Sequence, residues 1–158
     1  MVTRRQARST PQGATAYLQA DVRDPAAIIT GARKILDLDR PVALSLVALL
    51  HFIPDTDDAH DPVGRLLAEL SPGSYLTMTY ATADFTPEDS AAATAKLKAA
   101  GVTLALRSRE EFSRFFDGPE LVDPGVQIVH QWHPELGEPV PGQDDGVIPG
   151  YAAVARKP

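Results

Sequence analysis

The chain has 158 residues, 44% of them hydrophobic and 23% charged, with a formal net charge of -6; these are the values of one ordinary globular domain large enough to bury a core. They argue against a disordered chain, against a bilayer-spanning one, since no window reaches the apolar length of a span, and against nucleic acid as a ligand, because such a charge repels phosphate. The chain has no cysteine, so disulfides, thiolate metal sites and a cysteine nucleophile are excluded. Met1-Val2-Thr3-Arg4-Arg5 lacks an apolar signal core, which points to a cytoplasmic protein.

In chain order, a turn at residues 9–13 leads to a short strand over residues 14–20, which ends at Asp21-Val22-Arg23-Asp24-Pro25. Asp24 ahead of Pro25 starts a helix, because the carboxylate caps free amides and proline suits the first helical position. That helix carries Ile28, Ile29 and Ile35, with Gly31 as a point where it can split in two. Residues 41–55 are the most informative stretch, an apolar run closed by His51, Pro54 and Asp55. A fully buried parallel strand over residues 42–49 reads this way, since both faces stay apolar until the strand emerges. Ligands of open α/β sheets sit outside such carboxyl ends.

An acidic loop through Asp55, Asp57 and Asp58 runs to a second Asp-Pro start at Asp61-Pro62. From there Val63, Leu66, Leu67 and Leu70 recur at helical spacing until Ser71-Pro72-Gly73. Residues 74–80 read as the next strand, so strand, helix, strand, helix, strand implies right-handed parallel crossovers. Thr86-Pro87-Glu88-Asp89 opens an alanine-rich helix that Gly101 closes, and residues 102–104 form a short extended piece. Ser108-Arg109-Glu110-Glu111 is a capping box ahead of Phe112, Phe115 and Phe116, which belong in the core. Residues 126–132 and 151–156 read as strands that pair antiparallel across a Pro/Gly-rich segment, 134–150. With neither a repeat nor a linker, residues 1–158 form one domain.

Chemistry is sparse. Asp55, Asp57, Asp58, His60 and Asp61 are potential oxygen and nitrogen ligands, but their spacing matches no calcium loop, and a solvated helix-capping loop with no metal is expected. His51, at a strand exit, suits a general base titrating near neutral pH and suits equally a loop histidine bonded to backbone. No Gly-x-Ser-x-Gly elbow, P-loop or His-Glu-x-x-His sequence occurs.

Several elements in this order and spacing resemble one family. They are Ala20-Asp21-Val22-Arg23-Asp24-Pro25, Arg40-Pro41-Val42-Ala43-Leu44, Leu50-His51-Phe52-Ile53-Pro54-Asp55, Pro72-Gly73-Ser74-Tyr75-Leu76, Ala81-Thr82-Ala83-Asp84, Phe115-Phe116-Asp117-Gly118, Pro124-Gly125-Val126 and Trp132-His133-Pro134. The family is the class I, Rossmann-fold S-adenosylmethionine-dependent methyltransferases, and within it the actinobacterial S-adenosyl methyltransferases. The resemblance implies a partial Rossmann-like α/β sheet, mostly parallel with a carboxyl-terminal antiparallel strand pair and helices on both faces. It implies S-adenosyl-L-methionine as cofactor and a small-molecule oxygen or nitrogen as methyl acceptor. By the same resemblance Asp21 accepts from the adenine amino group beside Val22, Ala48 and Leu49 floor the cofactor site, His51 serves as base, and Tyr80 and Thr82 approach the acceptor.

The glycine-rich loop and ribose-binding acid of that fold have no counterpart before Asp21. The chain therefore resembles the family's carboxyl-terminal part, an amino-terminally truncated domain whose strand over residues 42–49 keeps an unpaired edge. Such an edge invites self-association or a partner chain, or lets the strand ending at Asp21 move in beside it. Whether the chain is an enzyme by itself, or an inactive remnant or interaction module, stays open at this level.

Overall fold

The computed structural model describes residues 15–54, 56–137 and 149–158. The turn at residues 9–13, Asp55 and most of the 134–150 connection lie outside them. The first helix, α1 (Pro25–Ala32), starts where Asp24 and Pro25 place it: the Ala27 N–H donates to Asp24 Oδ1 at 3.1 Å, and Pro25 fills the first turn. Gly31 does not split the helix, which ends one residue later and leaves Ile35 outside it, 49% exposed. The segment before the helix folds back against it closely: a Cβ at residue 31 would lie 2.5 Å from Leu18 Cδ2, so any larger residue there would displace the Leu18 side chain.

Strand β1 (Ala43–Leu46) has four residues, about half the expected run. Ala48, at φ 51°, turns the chain out of it, with its N–H held by Thr79 Oγ1 at 2.9 Å. The expectation of a fully buried strand is overturned. Leu46 is buried and Leu44 half-buried, but Ala43 and Ser45 are exposed, because β1 stands at the edge of the sheet. An apolar run records the surface a strand is suited to bury; it carries no information about whether a neighbour is there. The strand expected over residues 14–20 is likewise absent: residues 15–20 are exposed and enter no ladder among the described residues.

Helix α2 (His60–Ala68) begins one residue before the Asp61-Pro62 start, with the His60 N–H bonded to Asp58 Oδ1 at 3.0 Å, and buries Val63, Leu66 and Leu67. Strand β2 (Tyr75–Ala81) runs parallel to β1 with Tyr75 opposite Ala43. Helix α3 (Pro87–Ala99) buries only Ser90 and is a thin cover. Residues 102–104 form no strand; the chain there is tied back where Ala105 N–H donates to the His51 carbonyl at 2.8 Å. Helix α4 (Arg109–Ser113) carries the expected capping box, Glu111 N–H to Ser108 Oγ at 3.2 Å and Ser108 N–H to Glu111 Oε2 at 2.8 Å. Phe112, Phe115 and Phe116 are all buried.

Strands β3 (Glu120–Leu121), β4 (Gln127–Ile128) and β5 (Gly150–Arg156) complete the sheet. The order is β1-β2-β5-β3, with β4 also on β5. Because β5 is antiparallel to β2, β3 and β4, the other four strands share one direction and β5 alone opposes them. The antiparallel pair expected at the carboxyl end is present, with Ile128 opposite Tyr151, but the strand over residues 126–132 shrinks to two residues where Val129–Gln131 turns. The core lies along β2 and β5, where Leu76, Met78, Ala153 and Ala155 are almost fully buried. Among the described residues no helix is long and apolar enough to cross a membrane.

Candidate functional site

A groove of about 1070 Å³ runs beside β1 and past its carboxyl end. One wall is the segment before α1, with Gln19, Asp21 and Val22; the other is Leu46, Leu49 and Phe52, and Thr103 closes a third side. The groove thus unites three residues singled out from sequence, Asp21, Val22 and Leu49. Asp21 is exposed there. Its Oδ1 accepts from the Arg23 N–H at 2.9 Å, a turn contact, and its carboxylate also takes Arg23 Nε at 3.0 Å and Nη2 at 2.7 Å. These bonds from Arg23 hold its pKa down to about 2. Arg23 reaches Asp57 as well, at 3.2 Å, so the guanidinium keeps a carboxylate partner if Asp21 turns to another donor. Val22 is half-buried against the core, and Leu49 is 38% exposed.

Ala48 and His51 are not among the groove's lining residues. Ala48 is the exposed kink after β1. The His51 ring turns inward, 4.4 Å from the Phe52 ring and 5.9 Å from Tyr80, centroid to centroid. Its Nδ1 is buried without a hydrogen bond, and burial lowers its pKa, so the ring is neutral at neutral pH. Tyr80 and Thr82 lie in the interior, 2% and 1% exposed. The Tyr80 hydroxyl donates to the Leu50 carbonyl at 3.2 Å and accepts from Arg107 Nε at 3.1 Å. Thr82 Oγ1 accepts from the Asp84 N–H at 3.1 Å.

Around Tyr80 the structure assembles a cluster that the sequence reading did not single out. The Arg107 guanidinium sits 5.7 Å from the ring centroids of both Tyr80 and Phe115. His60 stacks on Phe115 at 3.9 Å, and burial first, then Arg107, lowers its pKa. No local signal marks Arg107, which lies in the unclassified stretch between Gly101 and the capping box. His60 read only as one ligand candidate in the acidic loop. Among the described residues no group of three or more His, Asp or Glu side chains converges as a metal site.

A family model described as S-adenosyl methyltransferase matches residues 1–158 of this chain. The chain belongs to the S-adenosyl methyltransferase family. A crystal structure of a DUF574 family protein from Streptomyces avermitilis agrees: it is 45% identical, with a TM-score of 0.88 over 95% of this chain and 58% of that one. A Thermobifida fusca protein is 35% identical, with a TM-score of 0.74 over 87% of this chain and 52% of that one. An O-methyltransferase family protein from Burkholderia thailandensis, 14% identical with a TM-score of 0.51 over 90% of this chain and 35% of that one, shares the fold. Comparison with curated proteins finds no match. The chain therefore spans between half and three-fifths of the length of the two more similar structures.

The cofactor of the S-adenosyl methyltransferase family is S-adenosylmethionine, and the groove fits part of it. Val22, Leu49 and Phe52 offer apolar surface to a flat ring, with the Asp21 carboxylate beside it. Ribose hydroxyls and an amino-acid tail ask for more. Among the described lining residues Asp21 is the single carboxylate, and no glycine-rich cradle of N–H groups faces the groove. Among the described lining residues the groove thus offers apolar surface and one carboxylate, without a set of groups suited to ribose hydroxyls or an amino-acid tail.

Proposed function

We propose that residues 1–158 form the adenine-side and acceptor-side part of a single methyltransferase domain that moves the S-adenosylmethionine methyl group to an oxygen or nitrogen of a small molecule. The observation that carries this reading is the meeting of Asp21, Val22 and Leu49 in one groove beside β1 and past its carboxyl end, in a chain of this family. The cofactor supplies an electrophilic sulfonium methyl, and the protein's task is to hold the nucleophile in line with it away from water. Asp21 accepts a hydrogen bond from the adenine amino group while Arg23 stays on Asp57, Val22 packs on the ring, and Leu49 forms the floor, placed there by the turn at Ala48. His51 does not line the groove; in this reading its neutral ring turns toward the groove to take the proton from the acceptor. Tyr80 positions His51 by holding the neighbouring Leu50 carbonyl, and Thr82 fixes the turn into Asp84.

Backbone amide NMR shifts on adding S-adenosylhomocysteine to the folded chain test this. The expected result is saturable shifts at Asp21, Val22 and Leu49, weakened about tenfold or more by Asp21→Ala, the effect of losing a hydrogen bond to a charged group. Shifts that ignore Asp21→Ala, or that gather elsewhere, overturn the assignment. A second reading is favoured by the open edge of β1: a module without activity of its own that pairs with another chain or with itself. Light scattering of the isolated chain separates a monomer from a self-associated form.

A further inference from the structure

The chain leaves β1 through a strained residue. Ala48 stands at φ 51°, a left-handed conformation that a residue with a Cβ adopts at a cost and that glycine takes freely. The register shows what is given up there. The Tyr75 N–H donates to the Val42 carbonyl at 2.9 Å, and Leu46 lies opposite Met78, so a ladder continued for one more step would put the Ala48 N–H on the Thr79 carbonyl. Instead the Ala48 N–H donates to Thr79 Oγ1 at 2.9 Å. A side chain has taken over from the main chain, and the strand turns out where it would have run on.

Thr79 does not act alone. Neighbours on a strand point to opposite faces of the sheet, and the next residue, Tyr80, donates its hydroxyl to the Leu50 carbonyl at 3.2 Å. Two successive residues of β2 thus grip the departing chain, one hydroxyl accepting from Ala48 and the other donating to Leu50. β5 steadies both, with Ala152 opposite Thr79 and Tyr151 opposite Tyr80. Beyond them the Ala105 N–H on the His51 carbonyl, at 2.8 Å, ties the far end. Between these points lie Leu49, which lines the groove, and His51, whose ring is turned inward. Thr79 is branched at Cβ and stiff about χ1, so its hydroxyl is held ready for the N–H. We propose that Thr79 is a positioning residue: its hydroxyl keeps Ala48 in the left-handed turn and thereby sets where Leu49 meets the cofactor and the point from which His51 reaches the acceptor. The use of that placement in methyl transfer rests on the methyltransferase reading; the placement itself does not.

Three variants of the 158-residue chain test this: Thr79→Val, which keeps the shape and removes the acceptor; Thr79→Ser, which keeps the acceptor; and Thr79→Val combined with Ala48→Gly. Without the hydroxyl, Ala48 should relax out of the left-handed region. Thr79→Val should then move the NMR signals of the Leu49 methyls and the His51 ring, and that ring should titrate nearer the ordinary midpoint of about 6.5 as it loses the burial that lowers it. Thr79→Ser should keep the native signals. Ala48→Gly needs no hydroxyl to hold the turn, and residue 48 is exposed, so water can take its N–H. The double variant should therefore return the Leu49 and His51 signals to their native positions, and it decides alone if Thr79→Val does not fold. A role confined to stability would lower the melting temperature with those signals unmoved. That result, or a double variant that stays displaced or does not fold, overturns the proposal. S-adenosylhomocysteine should bind Thr79→Val about fivefold more weakly than the unsubstituted chain and bind the double variant as well as that chain; equal binding by Thr79→Val also overturns it. If S-adenosylhomocysteine binds none of these proteins while the signals move and return as described, the positioning stands and the methyltransferase reading fails.

Discussion

His51 shows how one side chain's surroundings decide what it can do. Its ring is packed against Phe52 and Tyr80 with Nδ1 buried, and that burial lowers its pKa below the ordinary value. The unfolded chain, with the ordinary pKa of about 6.5, therefore takes up the proton first on acidification. Stability from this group is fully present above that pH and declines as pH falls through it toward the folded value. A melting temperature that drops between pH 7 and pH 5, and drops less steeply in His51→Gln, is the expected outcome. His60 is lowered too and keeps part of the slope. A profile identical in His51→Gln would contradict the shielding. Asp21 is the contrasting residue: the resemblance singled it out, whereas its turn contact with the Arg23 N–H and its place on the groove wall came with the fold.

Among the elements, those with local punctuation were the ones the sequence announced. Asp24-Pro25 and Thr86-Pro87 mark helix starts, and Ser108 with Glu111 forms the capping box as written; each depends on neighbours within a few residues. The extent of β1 and the loss of a strand over residues 15–20 were not legible, because a ladder depends on a second strand whose presence no local pattern encodes. Long-range caps are equally silent. Lys157, just beyond β5, places Nζ on the carbonyls of Leu67 at 2.8 Å, Ala68 at 3.2 Å and Leu70 at 2.6 Å, closing the end of α2 with a cation where the helix dipole is negative. Lys157→Met should lower stability by about 1–2 kcal/mol, seen as a lower denaturant midpoint with an unchanged slope. An unmoved midpoint would mean that water replaces the ammonium without loss.

For the whole molecule, the sheet and the amino-terminal segment differ in how firmly they are held. β2 and β5 pair over seven residues around a core of Leu76, Met78, Ala153 and Ala155, while residues 15–20 enter no ladder and α1 buries only Pro25 and Ile29. Local opening follows buried contact and hydrogen bonding. Amides in residues 15–38 should exchange with deuterium well before those of β2 and β5. Equal protection in both regions would contradict this ranking.

The place of β5 between β2 and the pair β3 and β4 also bears on how the chain takes shape while it is being made. Among the described residues β3 and β4 have no partner but β5, and β5 follows them both. Tyr75 must wait for Arg156, and Ala81 for Gly150. Of the ladders among the described residues, a nascent chain that has released everything through β4 can therefore assemble β1 on β2 alone, a two-stranded parallel ribbon. Closure is a late, long-loop event, and until it happens the growing chain shows sticky strand edges to its surroundings. A translational pause before β5 would prolong that exposure, so the yield of folded protein should depend on how quickly the ribosome crosses the stretch from Ile128 to Gly150.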